Sequence, residues 1–181
     1  MVIEDTLGSW SDETPFVTTS RRRDGWRRGP DWHTGVVISA VPRAAILALR
    51  HAVLRPDLPI EIAMYPEDDH PEVLHLARVD EAGAVLSCVT FFPEPTRYAP
   101  GAVAWRFRGM ATAADQRNRG IGGQLLEAGV TAVAARGGTA VWCNGRVAAA
   151  EFYRRHGFVS HGEVFELVPA GPHYVFVRVV D

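Results

Sequence analysis

The stretch Arg117, Asn118, Arg119, Gly120, Ile121, Gly122, Gly123 lies where an alternating, strand-like run ends and an apolar-periodic helix begins. The first turn of an α-helix leaves backbone N–H groups without intrahelical partners, and the helix dipole adds partial positive charge at the same place. Gly120 and Gly122 let an anion approach the backbone without meeting a Cβ atom, and Arg117 and Arg119 add charge at the rim, so the stretch reads as a phosphate cradle. A nucleotide P-loop is excluded because it needs a lysine, and all nineteen basic residues of this chain are arginine. A dinucleotide fingerprint is excluded because Leu125 stands where a third small residue is needed, and Ala140 and Val141 stand where an acidic one is.

Upstream of the cradle, Val103, Trp105 and Phe107 alternate with Ala104, Arg106 and Arg108, as on a half-exposed strand running to Met110. Downstream, Leu125, Leu126, Val130, Val133 and Ala134 recur at helical spacing, and Gly137 and Gly138 close that helix. Ala140 to Cys143 is wholly apolar, as expected of a strand covered on both faces. The spacing then predicts a helix from Val147 to His156 and a last antiparallel pair, Phe158 to Leu167 and Tyr174 to Val180. Towards the start, Gly35 to Ala40 reads as a strand, and Pro42 opens a helix that stops near Pro56. A Pro-, Glu- and Asp-rich loop spans Pro66 to Pro71, and the segments Leu74 to Val79 and Ala84 to Phe92 form a hairpin turning at Glu81, Ala82 and Gly83. The order of elements is that of an α/β fold with a mixed sheet.

The chain has 181 residues, 47% of them hydrophobic, which suits one domain with a sizeable core. That domain is expected over residues 34–181, with residues 1–33 as an extension carrying the run Arg21, Arg22, Arg23, Asp24, Gly25, Trp26, Arg27, Arg28. A formal charge of −2 supplies no general attraction to nucleic acid or anionic membranes. No apolar run approaches the roughly 18 residues of a membrane span, and the start lacks the basic-then-apolar order of a secretory signal. Cys88 and Cys143 each sit in an apolar run and read as buried thiols; a cytoplasmic protein is expected. Asp68, Asp69, His70 and His75 have ligand chemistry without metal-site spacing, so no metal is expected.

The pattern Arg117, Gly120, Gly122, with an arginine, two residues, a glycine, one residue and a glycine, resembles the pyrophosphate loop of the GNAT superfamily of acyl-CoA-dependent N-acetyltransferases. The resemblance extends over residues 35–181 and is most specific between Arg108 and Phe158. It implies a mixed, mostly antiparallel central sheet of six to seven strands flanked by helices on both faces, with acetyl-CoA as acyl donor. In that family the strand before the phosphate loop is bulged and splays from its neighbour, so that pantetheine bonds to free strand backbone; Gly109 is well placed for the bulge. By position, the resemblance implies Met110, Ala111 and Thr112 as contacts to pantetheine and the thioester, and Arg117, Asn118, Arg119, Gly120, Ile121, Gly122 and Gly123 as the pyrophosphate cradle. The run Ala148, Ala149, Phe152, Tyr153, then Arg154, Arg155, His156, Gly157, Phe158, is similar to the family's closing element, which makes Tyr153 the candidate acid for the departing thiolate. A phenol with a pKa of about 10 keeps its proton at neutral pH, against about 8.5 for a thiol.

Two departures qualify the resemblance. Arg146 stands where many relatives have asparagine, with Asn144 two residues before it, so Asn144 or Arg146 is expected to face the CoA arm or the substrate. The strand that often carries a glutamate base carries Arg106 and Arg108 instead, and this pair either holds a carboxylate or phosphate of the acceptor or is simply solvated. The sequence Gly171, Pro172, His173 resembles the turn into the last strand of a less characterised branch, which makes His173 a candidate base or proton shuttle. The expected reaction is direct transfer of acetyl from acetyl-CoA to a primary amine in a ternary complex, with a small-molecule or peptide acceptor and room for a homodimer. A CoA-binding regulatory domain without turnover is the alternative. A transferase acting on aminoacyl-tRNA, through the arginine-rich start, is a third reading.

Overall fold

In the computed structural model, residues 37–180 are described. The extension over residues 1–33 and its arginine-rich run lie outside them. Val37–Ala40 forms strand β1, and Pro42, with extended backbone angles, ends it and starts helix α1 at Arg43–Leu54. Strands β2 (Leu74–Val79) and β3 (Val85–Pro93) form the expected hairpin, followed by β4 (Ala104–Thr112) and helix α2 (Ile121–Ala134). Strand β5 (Ala140–Arg146), helix α3 (Ala150–Arg155) and strands β6 (Val159–Leu167) and β7 (Gly171–Val179) complete the domain.

The seven strands make one sheet in the order β1-β2-β3-β4-β5-β7-β6. Only β4 and β5 run parallel; every other neighbouring pair is antiparallel. The alternation of β3 decides which helix covers which face. Val89 and Phe91 join Leu125, Leu126, Val130 and Val133 of α2 in the larger core, whereas Cys88 joins Ile46 of α1 in a smaller core on the opposite face. Helices therefore cover both faces, as expected. Phe152 and Tyr153 of α3 pack on the larger core.

Four features differ from the pattern in the sequence; the first is that β7 starts at Gly171 and not at Tyr174, so Gly171, Pro172 and His173 are strand residues paired with β6 and not a turn into the strand. The Pro-rich loop contains a short 3-10 turn, Pro66–Asp69, and another, Ile60–Ala63, precedes it. Strand β5 runs three residues past Cys143, because its pairing with β7 continues to Arg146 opposite His173. The helix expected from Val147 is a 3-10 turn, Val147–Ala149, followed by a short α3.

Beneath β4 lies a buried polar cluster that sequence periodicity does not reveal. Arg50, on α1, is completely buried; its Nη1 donates to Asp68 Oδ2 at 2.7 Å and to the Ala63 carbonyl at 2.9 Å. Asp68 Oδ2 also accepts the Tyr65 N–H at 2.9 Å, tying the second 3-10 turn to the helix. Arg50 Nη2 donates to Thr90 Oγ1, which lies 2.9 Å from His75 Nδ1. Burial holds the His75 imidazole below its ordinary pKa against the opposing pull of Asp68, so a neutral ring that accepts the Thr90 hydroxyl proton fits the cluster. Removing one partner of a buried ion pair leaves the other uncompensated, at a cost of about 3–5 kcal/mol. Asp68→Ala is expected to lower unfolding stability by about that amount in urea titrations, and a loss below about 1 kcal/mol would show that the pair is not a structural anchor.

Candidate active site

Strands β4 and β5 are paired only at Ala104 with Ala140, Trp105 with Val141 and Arg106 with Trp142. Beyond Arg106 the two strands diverge, although β4 stays paired with β3 as far as Thr112 and β5 with β7 as far as Arg146. The edge of β4 that faces the gap therefore carries backbone groups without strand partners, over the residues where pantetheine is expected. The divergence coincides with an irregularity in β4. Cys88 pairs with Ala111 and Thr90 with Arg108, so Val89 alone faces the two residues Gly109 and Met110. Gly109 has φ +63°, and a Cβ atom there would stand 2.8 Å from Arg50 Nε and 3.0 Å from the Tyr65 ring. The bulge thus needs glycine twice over: for its backbone angle and because the Arg50 guanidinium fills the space beneath it.

At the end of β4 the chain makes a 3-10 turn, Ala114–Gln116, and passes through Asn118 (φ 60°) and Gly120 (φ 74°) into α2. No side chain caps α2, so the N–H groups of its first turn are open to an external acceptor. A Cβ atom at Gly120 would meet nothing within 4 Å, so this glycine serves the left-handed turn. At Gly122 it would press on Met110 and Thr112, and at Gly123 it would stand 2.6 Å from the His156 ring. These two glycines bring the helix start against β4 on one side and α3 on the other. His156 is held there by Glu127 Oε1 at 2.9 Å from its Nδ1, and Arg178 Nη1 donates to the same carboxylate at 2.8 Å.

A groove runs from this helix start along β4 to α3, lined by Met110, Ala111, Thr112, Arg117, Asn118 and Gly120 to Gly123. A second cavity, of about 280 Å³, continues from it between the diverging strands and is lined by Arg55, Tyr65, Arg106, Arg108, Asn144 and His173 among others. Met110, Arg146 and Tyr153 border both. The Tyr153 ring packs at 4.6 Å, centroid to centroid, on Phe176 and closes over Gly145, whose missing Cβ makes room for it. Burial pushes the Tyr153 phenol well above the ordinary tyrosine pKa, the adjacent Cys143 thiol adds to the rise, and Arg146 opposes it. His173 is buried, with Nδ1 2.7 Å from the Gly171 carbonyl. A carbonyl only accepts, so this contact puts the proton on Nδ1 and leaves the Nε2 lone pair free.

Most of the residues singled out in the sequence therefore come together. Arg119 does not line the groove; it reaches Gln116 Oε1 at 3.4 Å. Asn144 borders the smaller cavity and not the groove. The pair on β4 is already engaged: Arg106 Nη1 lies 3.1 and 3.2 Å from the two oxygens of Glu94, and Arg108 Nη1 lies 2.9 Å from Glu67 while its guanidinium stacks 3.7 Å above the Tyr65 ring. Arg55, Tyr65, Glu67 and Glu94 were not legible as site residues, because they sit in loops or at element ends without periodicity. Among the described residues no group of histidine, cysteine, aspartate and glutamate could hold a metal, and no helix is long and apolar enough to cross a membrane.

The divergent parallel pair, the bulge and the uncapped helix start together define an acyltransferase architecture, and comparison with known proteins agrees. Residues 70–160 match the model of the acetyltransferase (GNAT) domain family. The chain is 33% identical over 132 residues to the uncharacterized N-acetyltransferase YitI of Bacillus subtilis (strain 168), covering 73% of this chain and 88% of that one. The fold is shared with the GNAT family N-acetyltransferase YhbS of Escherichia coli, solved in complex with CoA (TM-score 0.65, 21% identity, 85% of this chain and 86% of that one). It is shared equally with an aminoglycoside 6'-N-acetyltransferase complexed with coenzyme A (TM-score 0.65, 17% identity, 80% of this chain and 97% of that one). The chain belongs to the GNAT family and is an N-acetyltransferase of that type.

Cys88 and Cys143 are both buried; burial pushes the Cys88 thiol up to about 11 and raises Cys143 further. At pH 8 a thiol with a pKa of about 11 is ionised to about one part in a thousand, so neither cysteine should react with a disulfide reagent in the native protein. Both should react once the protein is unfolded in denaturant. Rapid native labelling of either would contradict the packing described.

Proposed function

We propose that the protein transfers the acetyl group of acetyl-CoA to a primary amine by direct attack within a ternary complex. The reading is carried by one observation: an open groove at an uncapped helix start and a separate small cavity meet at Met110, Arg146 and Tyr153, within the gap between β4 and β5. A donor whose pyrophosphate lies against the N–H groups of α2 and whose pantetheine follows the free edge of β4 brings its thioester to that junction. The residues fit such a donor: nothing blocks the groove side of Gly120, and Arg117 stands at its rim. The acceptor amine then enters from the smaller cavity.

In this reading the backbone of Met110 orients the thioester carbonyl, and its polarisation favours attack by a neutral amine. The Nε2 lone pair of His173 is the group best prepared to take the amine proton, directly or through water, since Nδ1 is committed to Gly171. Tyr153 donates to the departing sulfur. A phenol above the usual range is a weak acid for a thiolate in water, but a thiolate leaving beside the buried Tyr153 and Cys143 is partly desolvated as well, and its proton affinity rises with theirs. No carboxylate of β4 takes part, because Arg106 and Arg108 occupy the face where one often stands.

Tyr153→Phe should lower kcat by about tenfold or more with little change in CoA affinity. Because a raised pKa preserves the acid to higher pH, kcat of the native enzyme should show no decline from tyrosine ionisation as pH passes about 10. Unchanged turnover in the variant would remove Tyr153 from the mechanism. His173→Ala should lower kcat/KM by about a hundredfold while CoA still raises the melting temperature; near-native kinetics would end its role as base. Thiol release from acetyl-CoA across a panel of amines tests the reaction itself, and CoA binding without release from any of them would favour a regulatory CoA-binding domain.

A further inference from the structure

The smaller cavity is unusually one-sided in charge. Four arginines line it, Arg55, Arg106, Arg108 and Arg146, and no aspartate or glutamate does. Two of the four are neutralised from behind: Glu94 holds Arg106 and Glu67 holds Arg108, and Trp142 and Tyr65 stack on those same guanidiniums at 4.7 and 3.7 Å. Their positions are therefore set by protein partners, and they shape the wall. Arg55 and Arg146 differ. Among the described residues neither is within ion-pair distance of a carboxylate. Arg55, half-buried just past the end of α1, donates one N–H to the neighbouring Leu54 carbonyl at 2.7 Å and keeps the rest of its fork free. It borders the smaller cavity and not the donor groove, whereas Arg146 stands where the two meet.

From this arrangement we propose that the acceptor is a small amine that also carries an anionic group, a carboxylate or a phosphate, and that Arg55, assisted by Arg146, binds that group. The proposal rests on the acetyltransferase reading above and narrows its acceptor. A guanidinium that is partly desolvated and has no protein counter-ion gains most from a bidentate anion supplied by the ligand. The cavity volume of about 280 Å³ admits a compact molecule of this kind or the corresponding end of a larger one. The two arginines left without counter-ions, Arg55 and Arg146, disfavour a polyamine or any acceptor with several positive charges, since no acidic side chain among the described residues lines the cavity to receive them.

The test uses the full chain with acetyl-CoA and acceptors matched in pairs that differ only in the anion. The standard L-amino acids are set against their carboxamides, and O-phosphoethanolamine against ethanolamine, with thiol release as the readout. The anionic member of at least one pair should show a kcat/KM about tenfold or more above its neutral partner, and the pair that does so distinguishes carboxylate from phosphate. A carboxamide carries the more acidic amine and so the larger neutral fraction, which means that amine basicity cannot produce this preference. Arg55→Gln should reduce the ratio to within about threefold, mainly through KM for the anionic member. Arg55→Lys should restore part of it. Preference for the neutral member in every pair, or a ratio unmoved in Arg55→Gln while CoA still stabilises that variant against heat, would overturn the proposal and leave the acetyltransferase reading standing. Absence of release with every acceptor, with CoA binding intact, would overturn both.

Discussion

The ion pair between Arg50 and Asp68 is the contact on which the geometry of the site depends. A fully buried guanidinium is costly to desolvate, and the cost is offset where its charge and most of its donors are matched. Here Asp68 matches the charge, and Ala63 and Thr90 take further hydrogen bonds. The result is a rigid plug between α1 and the sheet. Gly109 lies directly on it, so the bulge in β4 is supported from below by a charged group that cannot move without losing its partners. The same aspartate anchors the turn that carries Tyr65 and Glu67, which in turn fix Arg108. One buried pair thus sets both the bulge in β4 and one wall of the smaller cavity.

The divergence of β4 and β5 is the second element of the design, and it follows from how each strand is satisfied on its other edge. β4 continues along β3 and β5 continues along β7, so both can separate after three paired positions without stranding their outer backbone groups. Only the inner edges are left open, and they face a cavity. Aromatic packing then closes one end: Phe107, Phe158 and Phe176 surround the ring of Tyr153, a residue that borders both groove and cavity. The side chain proposed as the acid is also packed on the core, which explains why its phenol is so strongly perturbed.

Charge around the smaller cavity is arranged in two tiers. The arginines of β4 are held by glutamates and stacked on aromatic rings, which makes them scaffold. Those at the end of α1 and the end of β5 lack such partners among the described residues. Residue type alone does not separate these tiers. All four are arginines in unremarkable local sequence, and Glu94 and Glu67 are distant from the residues they neutralise by 12 and 41 positions.

The sequence by itself determined most of the elements and their order, and it singled out the glycine-rich helix start and the tyrosine that follows it. Hydrophobic periodicity, glycine positions and the helix start are local properties, and Arg117 to Gly123 can be read without knowing what surrounds it. The tertiary structure alone decided that β7 lies between β5 and β6, that Arg50 sits beneath Gly109, that His173 has its Nδ1 committed, and which arginines are left without counter-ions. Each of these depends on a pairing between residues far apart in the chain. Burial and charge neutralisation are properties of the assembled neighbourhood, so no local pattern records them.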